Sequence, residues 1–145
     1  RPFCPEAWVL PTPRPFMAIH GGDGHDVLAG RARVIDRTGA DLTDAFLEAA
    51  DAALARIADP GPSAAVLMDT SPSCGRNVVL LGEQQPVKAY RAGQGVVAAR
   101  LLKAGILVIA QRDERSLSLL REALDGTPPS GDDFVEHPWY VENLG

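Results

Sequence analysis

Short apolar runs alternate with amphipathic segments along most of the chain. Residues 64–68 form an apolar run with the length of a strand that is buried on both faces, and residues 106–110 form a second one. Between them, residues 96–103 carry apolar side chains at helical spacing, and Gly105 follows as a helix-ending residue. A strand, a helix and a strand in this order are typical of a right-handed parallel crossover. The pattern therefore predicts an α/β fold.

Further elements of both kinds flank this unit. The clearest helix spans residues 43–58, where apolar side chains recur on one face, and a second amphipathic helix is predicted over residues 114–124. Shorter strands are predicted within residues 27–36, 78–81 and 87–90. Together these elements predict a small Rossmann-like parallel-sheet domain that has helices on both faces of the sheet.

The composition is that of an ordinary globular domain. The chain has 145 residues, of which 46 % are hydrophobic and 23 % are charged. Its net charge of −5 argues against a basic nucleic-acid-binding surface, and no apolar run approaches the roughly 18 residues that a membrane span needs. Because no secretory leader is apparent, we expect a cytoplasmic protein. We expect residues 1–125 to form the α/β domain and residues 126–145 to form a tail packed on its surface.

A polar loop that presents a cysteine follows the first buried strand. Residues 70–75 change abruptly from apolar side chains to Thr, Ser, Pro, Cys and Gly. Pro72 fixes its own φ in the turn that carries Cys74, while Gly75 permits backbone angles that are closed to other residues. Open α/β sheets bind their ligands at the carboxyl ends of strands. Cys74 is therefore a candidate functional thiol.

Cys4 is the second candidate. If residues 1–3 end a parallel strand, Cys4 leaves the sheet at the same edge as Cys74, and the two thiols meet there. The alternatives are two inert, small apolar side chains or a disulfide, which a reducing cytosol disfavours. Each cysteine lies in a constrained polar loop near a carboxylate, Glu6 or Asp69. Thiolates in such places are soft ligands that suit zinc or an iron–sulfur cluster.

Alternating prolines at residues 11–15 place Arg14 on a stiff, extended backbone. Such a segment is either a rigid connector with a solvent-facing arginine or a loop that aims the guanidinium at an anionic centre. The residues alone leave both alternatives open.

A glycine-rich turn spans residues 20–25. It lacks the GxxxxGK[ST] spacing and a helical pattern after it, so we do not predict a phosphate-binding P-loop. Its two histidines and Asp23 are of the types that bind metal ions. A mobile turn without a ligand is the alternative.

Several motifs together resemble the DUF523 family, whose characterised members include 2-thiouracil desulfurase. The motifs are CPE at residues 4–6, LPTPRP at 10–15, GGDG-x-x-VL-x-G-x-AR at 21–33, F-x-x-x-A-x-x-AL at 46–54, SPSCG at 71–75 and GxGV at 93–96. They occur in the family's order, and the resemblance runs from Cys4 to about Val108.

The resemblance implies a compact α/β domain that carries a [4Fe–4S] cluster on three cysteines, two of which map onto Cys4 and Cys74. The family's first cysteine lies upstream of CPE, so we expect the first strand of the sheet and the third ligand to precede Arg1. The implied function is that of a desulfidase, which removes sulfur from thiolated nucleobases such as 2-thiouracil by non-redox C–S cleavage at the open iron. The alternative is a non-catalytic metal- or sulfur-binding module, or a truncated and inactive family member.

Roles for individual residues follow from this implied chemistry as hypotheses. Hydrolytic cleavage of a C–S bond needs a base for water and hydrogen-bond partners for the ring. Glu6, two residues from a ligand, is the candidate acid–base. Ser71 and Ser73 either orient water or substrate, or only cap the turn. Arg14 is the candidate substrate-binding residue, which would offset the negative charge of the cluster or pair with Glu6.

Overall fold

The structure is a computed structural model that describes residues 2–57, 64–80, 90–129 and 137–144. Its helices are α1 (Glu6–Val9), α2 (Gly24–Leu28), α3 (Thr43–Ile57), α4 (Val96–Lys103), α5 (Glu114–Asp125) and α6 (Pro138–Leu144). Its strands are β1 (Met17–His20), β2 (Arg33–Asp36), β3 (Ala64–Leu67), β4 (Val78–Leu80), β5 (Tyr90–Ala92) and β6 (Leu107–Ala110). Within those ranges, every helix is too short or too polar to cross a lipid bilayer.

The described strands form three two-stranded sheets, one parallel and two antiparallel. β3 and β6 are parallel neighbours, with Ala64 opposite Leu107 and Leu67 opposite Ala110. α4 lies between these two strands in sequence, which confirms the predicted strand–helix–strand unit and the α/β class. β1 pairs antiparallel with β2, and β4 with β5. Most of the strand predicted at residues 87–90 lies outside the described residues.

The hydrophobic core is built around α4, which packs against α2, α3 and β6. The apolar side chains of α4 are almost completely shielded from solvent: Val96, Val97, Ala98, Ala99 and Leu101. α3 turns a face of small residues towards them, and this lets the two helices approach closely. Its buried residues are Phe46, Ala49, Ala50 and Ala53. The apolar face predicted for α3 does lie against the core, but Leu47, Leu54 and Ile57 on it are only partly buried.

A short helix begins inside the glycine-rich turn, so the prediction that no helix follows this turn is wrong. Asp23 is the N-cap of α2, and its Oδ1 accepts hydrogen bonds from the backbone N–H groups of His25 and Asp26. Asp26 in turn accepts the N–H of Asp23, which completes a capping box. The segment 27–36 therefore divides between the end of α2 and the strand β2, instead of forming one strand.

The C-terminal helix α6 packs on the rest of the domain through aromatic side chains. Trp139 meets Tyr90 of β5 edge to face, with ring centroids 5.1 Å apart. The guanidinium carbon of Arg112, just after β6, lies 4.8 Å from the centroid of the Trp139 ring. Tyr140 is buried. These contacts attach the helix to the carboxyl-end side of the β3–β6 pair, while the division of the chain at residue 125 stays a prediction.

Candidate functional site

Ser71 holds the loop after β3 in a tight turn. Its Oγ accepts hydrogen bonds from the backbone N–H groups of Ser73 and Cys74, at 3.0 and 3.1 Å. The N–H of Gly75 donates to the carbonyl of Ser71 at 2.9 Å. Thr70, at the entrance of the loop, has a φ of 70°, which is unusual for a residue with a branched side chain. This short-range bonding orients the side chain of Cys74.

The same loop is docked on the N-terminus of α4. The N–H of Val96 donates to the carbonyl of Pro72, and the N–H of Val97 donates to that of Ser73, each at 2.9 Å. These bonds satisfy donors that a helix N-terminus otherwise leaves unpaired. A Cβ on Gly95 would lie only 2.4 Å from the carbonyl oxygen of Ser73. Glycine is therefore needed at residue 95 for the loop and the helix to meet.

Cys4 lies directly before α1 and not at the end of a strand. Residues 2–4 have no regular secondary structure, so the prediction that a strand leads into Cys4 is wrong for these residues. The carbonyl of Cys4 accepts a hydrogen bond from the N–H of Ala7 at 3.1 Å. Pro5 occupies the N-cap of α1 with helical backbone angles, which proline adopts readily. A helix start, and not a sheet edge, therefore positions Cys4 and Glu6.

Arg14 turns back from the proline-rich segment onto the start of α1. Its Nη1 donates to Sγ of Cys4 at 2.7 Å, and its Nε lies 3.9 Å from Oε2 of Glu6. The side chain of Glu6 is 17 % exposed and that of Arg14 is 36 % exposed. These contacts favour the alternative in which the stiff segment aims the guanidinium at an anionic centre.

One hydrogen bond joins the two cysteine-bearing segments. The hydroxyl of Ser71 donates to Oε1 of Glu6 at 2.9 Å. Because Ser71 also accepts two backbone N–H groups, its proton and both of its lone pairs are engaged. Its contacts therefore favour the turn-capping alternative over the orientation of water or substrate.

The sulfur of Cys74 lies beside the fully buried hydroxyl of Ser73. Its Sγ–H donates to Oγ of Ser73 at 3.7 Å. Burial raises the pKa of Cys74 to about 11; the Ser73 hydrogen bond lowers it, and the negative charges of Glu6 and Cys4 raise it further. Without a metal, the thiol therefore keeps its proton at neutral pH. Metal binding must displace that proton, because the thiolate is the ligand.

The structure thus places all of the predicted site residues in one network of contacts. The network consists of Cys4, Glu6, Arg14, Ser71, Ser73 and Cys74. Two soft thiols with a guanidinium and a carboxylate between them match the donor chemistry of an iron–sulfur site. In the part of the chain that the structure describes, no group of three His, Cys, Asp or Glu side chains is arranged to hold a metal ion.

The sequence alone assigned no role to Asp69, at the start of the cysteine loop, or to Tyr140. Asp69 is almost completely buried, and its Oδ1 accepts the backbone N–H groups of Arg76 and Asn77 at 3.0 Å each. Its Oδ2 accepts the hydroxyl proton of Tyr140. The sequence identified Asp69 as a carboxylate near Cys74, but not as the residue that closes the loop. No local pattern points to Tyr140, which is 71 residues away in sequence.

Comparisons with known proteins agree on one family. A family model described as 2-thiouracil desulfurase matches residues 1–113. The uncharacterized protein YbbK from Bacillus subtilis (strain 168) is 38 % identical over 111 residues, which are 76 % of this chain and 72 % of that protein. Among solved structures, the [4Fe–4S]-dependent thiouracil desulfidase TudS is similar with a TM-score of 0.68 and 32 % identity. That similarity covers 84 % of this chain and 74 % of TudS.

Proposed function

This chain belongs to the 2-thiouracil desulfurase (DUF523) family, and from this premise we propose that it is a desulfidase that acts on thiolated nucleobases such as 2-thiouracil. In the proposed reaction, the thiocarbonyl carbon gains the oxygen of water, the C–S bond breaks and the sulfur leaves as hydrogen sulfide. No electron is transferred, so the reaction is a hydrolysis. We propose that it takes place in the cytoplasm on a free small molecule, in keeping with a net charge of −5.

The observation that carries this proposal is the junction between the two cysteine-bearing segments. Cys4 precedes α1 and Cys74 lies in the loop after β3, and the Glu6–Ser71 hydrogen bond connects the two segments. Cys4 is exposed, whereas Cys74 is partly buried against the hydrophobic core. Their convergence with a guanidinium and a carboxylate is typical of a site that binds a ligand and moves protons.

Cys4 and Cys74 are the residues that would hold an iron–sulfur cluster, since thiolates are its usual protein ligands. When bound, such a cluster supplies a Lewis-acidic iron that polarises the thiocarbonyl group of the substrate. The chain has two cysteines, so a cluster held by three requires one ligand from outside these 145 residues. Arg14 supports the arrangement, because its guanidinium donates a hydrogen bond to the sulfur of Cys4 and so fixes the position of this side chain.

Glu6 is the residue that we propose moves the proton. Its Oε1 is occupied by the Ser71 hydroxyl, whereas among the described residues the contact given for its Oε2 is the longer one with Arg14, at 3.9 Å. The side chain is partly exposed, so water can reach it. A carboxylate placed in this way takes a proton from water at Oε2 and returns it to the leaving sulfur or to a ring nitrogen.

Arg14 and Ser73 have supporting roles in this proposal. The guanidinium of Arg14 has more donors than its contacts with Cys4 and Glu6 use, and a second donor can bind an electronegative atom of the nucleobase. Ser73 is fully buried, which keeps it from substrate, and it holds the sulfur of Cys74 in place.

A second candidate function is that of a non-catalytic metal- or sulfur-binding family member. The observation that favours it is the ligand count, because the chain has two cysteines and its described residues contain no three-residue ligand group of His, Cys, Asp or Glu. Such a protein would bind iron or sulfide without turning over a thiolated base.

Anaerobic reconstitution with iron and sulfide, carried out on protein that includes the third thiolate ligand, tests both candidates. The desulfidase proposal expects bound iron, the visible absorption of an iron–sulfur cluster, and conversion of 2-thiouracil to uracil with one sulfide released for each uracil formed. Bound iron without sulfide release would support the non-catalytic candidate. Protein that retains no iron and releases no sulfide would refute both.

A further inference from the structure

The C-terminal helix α6 reaches the cysteine loop through a buried pair of side chains. The hydroxyl of Tyr140 donates to Oδ2 of Asp69, and its oxygen accepts a hydrogen bond from Nδ2 of Asn77 at 3.3 Å. Asp69 is 1 % exposed and Tyr140 is 8 % exposed. A buried carboxylate is costly unless each of its oxygens is hydrogen-bonded. The Tyr140 hydroxyl therefore satisfies an oxygen that water cannot readily reach.

Asp69 connects the two ends of the cysteine loop. It lies immediately before Thr70, where the loop begins, and its Oδ1 accepts the N–H groups of Arg76 and Asn77, where the loop ends. A single carboxylate thus closes the segment that contains Cys74. Rotation of this carboxylate would break the hydrogen bonds to both backbone N–H groups together. A group that fixes the second oxygen, Oδ2, therefore also keeps the loop closed.

The contacts that the structure describes for Trp139, the neighbour of Tyr140 on α6, include two residues outside the cysteine loop. Trp139 packs against Tyr90 and under Arg112, and these residues belong to β5 and to the turn after β6. The position of Tyr140 is therefore set by elements other than the loop that it contacts. This makes the helix an external support for the loop.

We propose that Tyr140 is a positioning residue for Cys74, because its hydroxyl holds Asp69 in the orientation that closes the loop. The inference rests on the proposed function only in treating Cys74 as a functional thiol. Burial and the hydrogen bond to Asp69 raise the pKa of Tyr140 to about 12. The hydroxyl therefore keeps its proton and acts as the donor throughout the neutral range.

The test is the alkylation rate of Cys74 in the full chain without metal. A Cys4→Ser background leaves one thiol, and Tyr140→Phe removes the hydroxyl while it keeps the ring. The matched control is Val141→Ala, at a position on the same helix that is 58 % exposed. We expect Tyr140→Phe to increase the rate of reaction with iodoacetamide about tenfold, since a hydrogen bond to a charged group is lost and the loop opens more often. The control should react like the parent.

The dependence on urea separates loop opening from global unfolding. Opening of a short loop exposes little surface, so the accelerated rate should change little with urea below the unfolding transition. An unchanged rate in Tyr140→Phe, an equal acceleration in Val141→Ala, or the steep urea dependence of global unfolding would each overturn the proposal. Alkylation requires neither cluster nor substrate, so a failure of the desulfidase assay leaves this result intact.

Discussion

Ser71 donates a hydrogen bond to Glu6 over 2.9 Å, although the two residues are 65 positions apart in sequence. This bond connects the loop that carries Cys74 with the helix start that carries Cys4. Its acceptor is a partly buried carboxylate, and hydrogen bonds to charged groups contribute about 1.5–3 kcal/mol. The two thiols are thus placed relative to each other by a polar contact between their neighbours.

Replacement of Cys74 by serine should abolish iron binding and sulfide release together. A hydroxyl is a poor soft ligand, and a cluster that loses one of few thiolates is labile. Iron content and sulfide release, both measured anaerobically, test this expectation. Ser118→Ala, a buried change on α5, should keep both values near those of the parent. An active Cys74→Ser protein without iron would contradict the proposed function.

Glu6→Gln should keep the iron but slow turnover. The amide oxygen can still accept the Ser71 hydrogen bond, so the junction survives, while the group that exchanges protons is lost. We expect turnover to fall by about 10²–10⁴-fold, the usual contribution of a general acid or base. Steady-state sulfide release per bound iron measures the effect, and Glu48→Gln on the exposed side of α3 is the control. Normal turnover in Glu6→Gln would remove Glu6 from the mechanism.

Gly95→Ala should destabilise the protein by about 3 kcal/mol or more. The added Cβ would overlap backbone oxygens, and overpacking destabilises proteins by an amount of this order. These are the carbonyl oxygens of Ser73 and Pro72, at 2.4 and 2.8 Å from the Cβ position. Gly105→Ala is the matched comparison, since its Cβ would point into open space and only its φ of 80° is unfavourable. The Gly105→Ala change should lower the free energy of unfolding by about 1 kcal/mol. Free energies of unfolding in urea that are equal for the two variants would contradict the tight contact between the loop and α4.

The stability contributed by Tyr140 should disappear between about pH 10 and pH 12. Burial and Asp69 raise its pKa in the folded protein to about 12, above the ordinary value of 10, while Asn77 and Arg112 lower it. A raised folded pKa means that the contribution is complete below pH 10 and is lost as the pH rises through 12. The free energy of unfolding of the parent should therefore fall by about 1–2 kcal/mol more than that of Tyr140→Phe over this range.

Urea unfolding of both proteins at several pH values in this range measures the difference. Val141→Ala, at an exposed position on the same helix, should keep the pH dependence of the parent. Parallel pH profiles for the parent and Tyr140→Phe would show that the Tyr140 hydroxyl does not couple to folding.

The sequence predicted those elements whose apolar spacing is set by burial. α3, α4 and α5 were placed within a few residues, and so were β3 and β6 with their parallel pairing. The six candidate site residues can also be identified from the sequence. They lie in short motifs in which proline, glycine, cysteine and charge occur together, and such motifs can be recognised locally.

The tertiary structure alone decided how those motifs meet. The helix α2 was not predicted because it begins at a capping box formed by Asp23 and Asp26 and has no apolar periodicity to signal it. The contact between Cys4 and Arg14 depends on how the proline-rich segment turns back onto the start of α1. The contacts Glu6–Ser71 and Asp69–Tyr140 join residues 65 and 71 positions apart. A polar side chain can form its hydrogen bonds with many different partners, whereas an apolar side chain needs only burial. The sequence therefore determined the buried faces, and the fold determined the polar partners.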